Sequence, residues 1–174
     1  EAARLLERAS KAGNVLATTH LAVMMLEGDG VRMDTELGRE MIIEVAEELE
    51  RQSDQGNADA ALLLGVFWAM LGTTDEVKLE GVGLVRTAAD KGNAWGMYWM
   101  GRVYESGLTV DLDWEQARRW WERASQGGSA DADNRLGTWY DNGVAAEPDY
   151  KQAAHYYLRA ANRGLPAGQY NYGG

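Results

Sequence analysis

Gly65, Gly101, Gly137 and Gly173 are spaced 36 residues apart, and so are Gly92, Gly128 and Gly164. Ala88, Ala124 and Ala160 fall in the same register. Upstream the pattern persists, with Gly13 in the place of Gly56 and Ala22 in that of Gly65. A period of this length narrows the possible folds sharply. One such unit is too short to bury its own apolar face, so copies must stack and share a continuous core. Small residues at fixed places also imply that something approaches closely there in every copy.

Each unit reads as two helices. The first, helix A, follows the loop glycine: Asn57, Asn93 and Ser129 are N-cap types, and Pro166 stands at a first helical position. Gly96, Met100 and Tyr104 share one stripe of that helix, and Leu136 replaces Met100 in the next copy. Gly107 and Gly143 end it. Helix B starts at Asp113 or Asp149, each with Gln three residues on (Gln116, Gln152), the pattern of a capping box. Small and aromatic residues then recur along it: Ala117, Trp120, Trp121 and Ala124, matched by Ala153, Tyr156, Tyr157 and Ala160. Ala and Gly let helices approach, and the rings fill the space between pairs. The chain should be all-α, with about four 36-residue repeats plus partial ends forming one domain over 1–174.

The stretch "ADADNRLGTWYDNGVAAEPDYKQAAHYYLRAANRG" (130–164) resembles the SEL-one-like repeat family, relatives of the tetratricopeptide repeats, nearly throughout. "DWEQARRWWERASQGG" (113–128) is similar to the second half of that pattern. The likeness extends over essentially the whole chain and departs most in "LGTTDEVKLEG" (71–81), which lacks the Gly-Val-Asp loop signature. It implies a right-handed superhelix of helix pairs, used mainly to hold other proteins, with many bacterial members.

Two irregularities stand out. By register Ala2 corresponds to Ala117, and the chain closes at "YNYGG", so both ends look cut and neither carries a polar capping segment. A fragment of a longer protein is expected, and its compartment is unreadable. Second, Asp34 to Gly56 spans 22 residues where Asp113 to Gly128 spans 15. The surplus of seven is close to two helical turns, so it should lengthen helix B by about 10 Å without rotating its buried stripe of Met41, Ile42, Val45 and Leu49. The longer helix either packs on its neighbours or forms a projecting rim for a partner.

Composition argues against several functions. Lys plus Arg total 17 against 27 Asp plus Glu, a formal charge of −10 that disfavours nucleic acid and anionic membrane surfaces. No cysteine is present, so disulfides and thiolate metal sites are excluded. No apolar run approaches the roughly 20 residues of a membrane span. His20 and His155 belong to different helix pairs. Asp111, Asp113, Glu115 and Glu122 mimic calcium-loop spacing, but Gln116 stands where the turn glycine is required. Gly81 and Gly83 lack a preceding strand, so they do not make a phosphate loop. No nucleophile, base and oxyanion hole assemble, so the expectation is a non-enzyme without metal or cofactor.

What remains is a surface on helix A opposite its packing stripe. In register it reads Leu16, His20, Val23, Glu27; Asp59, Leu63, Val66, Met70; Trp95, Trp99, Arg102, Ser106; and Asp131, Arg135, Thr138, Asn142. The first three sets are largely apolar or aromatic where a solvated face would be polar, and the fourth is polar throughout. Either curvature buries them against neighbouring helices, or they line a groove for a protein segment, with Leu63, Val66, Met70, Trp95, Trp99 and Arg102 as the contact residues. Two alternatives compete: a glycan or peptidoglycan binder stacking sugars on Trp95 and Trp99, and an acidic immunity protein neutralising a basic toxin enzyme.

Overall fold

The computed structural model describes residues 2–28, 30–107, 109–144 and 147–165. Among them are nine helices and no strand: α1 (Ala2–Lys11), α2 (Val15–Glu27), α3 (Thr35–Asp54), α4 (Ala58–Leu71), α5 (Asp75–Asp90), α6 (Ala94–Ser106), α7 (Trp114–Gln126), α8 (Ala130–Asp141) and α9 (Tyr150–Asn162). They follow one another as antiparallel A and B helices. Two compact units result, residues 1–84 and 85–174, with the division inside α5. Pro166 and Gly173 lie outside the described residues.

The glycines fall into two physical classes. Gly56, Gly92 and Gly128 close helix B with φ of 86°, 92° and 95°, and a Cβ on any of them would meet nothing within 4 Å. They are there for backbone conformation, since the left-handed region is costly for other residues. The next residue donates its N–H five positions back: Asn93 to the Ala88 carbonyl (3.1 Å), Ser129 to that of Ala124 (3.0 Å). The same residue then caps the following helix, the Asn93 side chain accepting from Gly96 N and Ser129 Oγ from Ala132 N. One residue thus ends helix B and begins helix A, which is why the Ala, Gly and cap positions repeat together.

The helix glycines answer a different need. Gly101 in α6 lies under the Trp121 indole of α7, and a Cβ there would overlap the ring. Gly137 in α8 meets Tyr157 of α9 in the same way, with a built Cβ 2.5 Å from the ring carbons. The approach is reciprocated by small residues in the first two turns of helix B. Gly38 of α3 sits on the Ala22 carbonyl of α2, and Gly81 of α5 on the backbone of α4 at Gly65 and Ala69. Ala117 and Ala153, the equivalents in α7 and α9, are buried.

The B-helix caps form as the sequence indicates: Asp34, Asp113 and Asp149 accept from Leu37 N (3.1 Å), Gln116 N (2.9 Å) and Gln152 N (3.0 Å). Gln116 is therefore helical, and the calcium-like spacing is a helix start. Residues 72–74 join α4 to α5, where Thr74 Oγ1 accepts from Val77 N in place of an aspartate cap. The elongated helix is α3, with 20 residues against 13 in each of α7 and α9. Of its expected stripe Ile42 and Leu49 are fully buried while Met41 and Val45 are half-buried; Ile43 projects into solvent among Glu40, Glu44 and Glu47.

Gly101→Ala should destabilise the chain by about 1–3 kcal/mol, because the Trp121 ring is buried and has nowhere to retreat. Gly83→Ala, in open space on α5, should instead stabilise by roughly 0.5–1 kcal/mol. Chemical denaturation of the pair checks both signs.

Candidate functional site

The expected contact residues divide by burial. Leu63, Val66 and Trp99 are buried at 1 %, 0 % and 3 % exposure, so they pack the interior of their units. Met70, Trp95 and Arg102 are half-buried and reach the surface. Helix A in a stack is gripped on more than one side, so its apolar positions are mostly consumed by packing. Trp95 and Trp99 do not present two open faces for sugar stacking: Trp99 is buried and meets Trp95 edge-on, centroids 5.8 Å apart and planes at 78°.

Around Trp95 and Trp99 the second unit holds an ordered polar rim. The Arg102 guanidinium lies 5.5 Å from the Trp99 ring centre, a cation–π distance, and donates to Tyr98 Oη at 3.2 Å. Its Nε is 2.9 Å from Glu105, which also faces Arg135 of α8 at 3.5 Å. Glu105 therefore bridges α6 and α8, with Thr138 and Asn142 continuing the face. A neighbouring cavity lined by Glu105, Trp121, Arg135 and Trp139 holds about 60 Å³, too small for a cofactor.

One buried polar group was not among the sequence candidates. Asp133 of α8 is wholly buried. It accepts from Ser125 Oγ of α7 at 2.6 Å, pairs with Arg163, and lies 3.4 Å from Arg159 of α9. Arg159 also donates to Ser125 Oγ (2.8 Å), and Arg163 to the Ser125 carbonyl (3.0 Å). Three consecutive helices are tied through one carboxylate. The register carried the signal: position 133 is Met97 and Ala61 in the earlier copies, so an acid replaces an apolar core residue.

His20 lies in α2 of the first unit and the exposed His155 in α9 of the second. Burial holds the His20 imidazole below its ordinary pKa, partly offset by Asp59. Among the described residues no three His, Cys, Asp or Glu side chains are placed to hold a metal ion, and no helix is long and apolar enough to cross a membrane.

Successive helix pairs keyed by glycine against aromatic rings define a helical-repeat protein. The chain belongs to the Sel1 repeat family, matching its model over residues 1–14, 15–43, 96–129 and 130–165. The intervening 44–95 holds the second half of the lengthened α3 and the short 72–74 connection. Among solved structures it is similar to c5321, a protective antigen of uropathogenic Escherichia coli strains displaying an SLR fold, at 27 % identity and TM-score 0.61. That match covers 98 % of this chain but 35 % of the antigen, so the chain spans about a third of its length. A Sel1 repeat protein from Oxalobacter formigenes is also 27 % identical, with TM-score 0.59 over 68 % of this chain and 90 % of that one. Immunity protein Pa5087 from Pseudomonas aeruginosa shares the fold at 18 % identity and TM-score 0.53, covering 95 % of this chain and 75 % of its own. No curated protein matches.

Two predictions follow from the buried charges. Asp133→Ala leaves Ser125, Arg159 and Arg163 facing a vacated pocket and should cost about 3–5 kcal/mol in denaturant unfolding. For His20, the folded state binds its proton less readily than the unfolded state. Its contribution is complete above the ordinary pKa of 6.5 and is lost as pH falls below it. The stability of the wild type should therefore drop more between pH 7.5 and 5.5 than that of His20→Gln, measured by thermal melts at matched salt.

Proposed function

We propose that this chain is a non-catalytic adaptor that holds a segment of another protein on the helix-A face of its repeats. Sel1 repeats mediate protein interactions generally, and the family is generally one of non-catalytic adaptors. The observation that carries the finer reading is the Trp95–Arg102 surface of α6. Trp95 is partly open, its ring is fixed by Trp99 beneath, and Arg102 is already held by Tyr98 and Glu105. Trp and Arg dominate the energetics of protein interfaces, and groups fixed before binding lose little entropy on contact. In this reading Trp95 and Arg102 touch the partner, and the buried Trp99 supports them from below. In the first unit Met70 offers partly exposed apolar surface of the same register, while Leu63 and Val66 are buried.

A second reading rests on charge. The exposed Glu36, Glu40, Glu44, Glu47 and Glu50 of α3, on a chain of net charge −10, suit a basic partner such as a toxin enzyme, and would speed its association at low salt. The two readings part under salt. Partners captured from source cells and identified by mass spectrometry are titrated against wild type, Trp95→Ala and a Glu40→Gln/Glu44→Gln/Glu47→Gln variant. The helix-A reading expects Trp95→Ala to weaken binding by about 2 kcal/mol, roughly 30-fold, with unchanged helix content and weak salt dependence. Unchanged affinity for Trp95→Ala with a steep salt dependence, reduced in the glutamine variant, would transfer the function to α3.

A further inference from the structure

The second unit contains a cluster of arginines that neither the repeat pattern nor the adaptor reading uses. Arg86 from the last turns of α5, Tyr104 of α6, and Gln116, Arg119, Trp120 and Arg123 of α7 line a cavity of about 310 Å³. That is the low end of the roughly 300–1,000 Å³ of small-molecule sites. Three of its six lining residues are cationic, on a chain whose net charge is −10.

These guanidiniums are positioned but little neutralised. Arg86 donates to Tyr104 Oη at 3.0 Å. Arg123 lies 4.2 Å from the centre of the buried Trp120 ring. Among the described residues Arg119 pairs with one carboxylate, Glu115 at 3.6 Å, and Glu115 is held more closely by Arg118 at 2.5 Å. Among the described residues neither Arg86 nor Arg123 forms an ion pair. Holding three like charges around one cavity is unfavourable unless an anion joins them.

The next repeat supplies an internal comparison. In the 36-residue register Arg86, Tyr104, Arg119, Trp120 and Arg123 become Glu122, Tyr140, His155, Tyr156 and Arg159. There Tyr140 and Tyr156 stack face to face at 5.6 Å, while Arg159 turns to Asp133 and Ser125. The fold thus tolerates an acid and a histidine where this cavity has two arginines, so its cationic lining is not a requirement of helix packing.

We propose that this cavity binds a small molecule bearing a compact oxyanion, a carboxylate or phosphoryl group. Arg86 from α5 and Arg119 and Arg123 from α7 supply the positive charge, and Gln116 offers its amide. Guanidinium forks match the paired oxygens of both groups. The chain's overall negative charge repels extended polyanions, leaving a short, singly presented anionic head as the fitting ligand.

The test uses the full chain, ¹⁵N-labelled at low salt, titrated with sodium phosphate, sodium succinate or sodium chloride at matched ionic strength. At least one oxyanion should saturate the protein and shift the Arg86, Gln116, Arg119 and Trp120 Nε1 resonances, while chloride does not. Saturation by succinate alone assigns the carboxylate class, and by phosphate alone the phosphoryl class. Arg86→Glu/Arg119→Gln, which moves this lining towards that of the next repeat, should weaken binding tenfold or more. If that double variant loses its native spectrum, the exposed Arg119→Gln alone should still weaken binding at least threefold. Shifts no larger than those of chloride, or affinity unchanged in a folded variant, would overturn the proposal. Neither result bears on the Trp95 surface, which is tested separately.

Discussion

Everything in this fold depends on how closely helix A can approach helix B, and glycine against an aromatic ring sets that distance. Where Gly101 faces Trp121 and Gly137 faces Tyr157, no side chain separates the backbone from the ring. A flat ring pressed on a bare helix gives extensive dispersion contact at little conformational cost, and the interior has no slack to absorb an added methyl. Once that contact is fixed, the opposing small residues must follow. Gly38 and Gly81 sit on the backbone of the preceding helix for the same reason.

Against this repeated frame, the individual character of the chain lies in the positions that break register. Asp133 replaces an apolar residue, and Ser125, Arg159 and Arg163 gather around it to satisfy its lone pairs. Arg86 stands where the next copy has Glu122, and the cavity beside it becomes cationic. α3, seven residues longer than its counterparts, carries a belt of acids along its length. A repeat protein can vary such positions freely because neighbouring copies already hold the backbone.

Helix existence, caps, loops and the length of α3 were legible in the sequence because each depends on contacts within about one turn. Asp34, Asp113 and Asp149 announce helix starts by their own side chains, and Gly92 and Gly128 announce helix ends by the φ they must adopt. The 36-residue register similarly marked Gly101 and Gly137 as places of close approach. A lengthening of nearly two whole turns preserves helical phase, so the buried places of Ile42 and Leu49 could also be read.

Side-chain accessibility on helix A was decided only by the tertiary structure. Trp95 and Trp99 are one turn apart and share a stripe, yet Trp95 is partly open while Trp99 is 3 % exposed. Periodicity reports the angle at which a side chain leaves its own helix, but burial depends on which neighbours reach that angle. Similarly, the charge of Asp133 was visible as an oddity, while its partners Arg159 and Arg163 lie 26 and 30 residues further along the chain. Sequence alone determined the repeat and the local form of its helices. The tertiary structure decided which residues are buried, which charges meet and where a cavity opens, because those properties arise from the packing of separate segments.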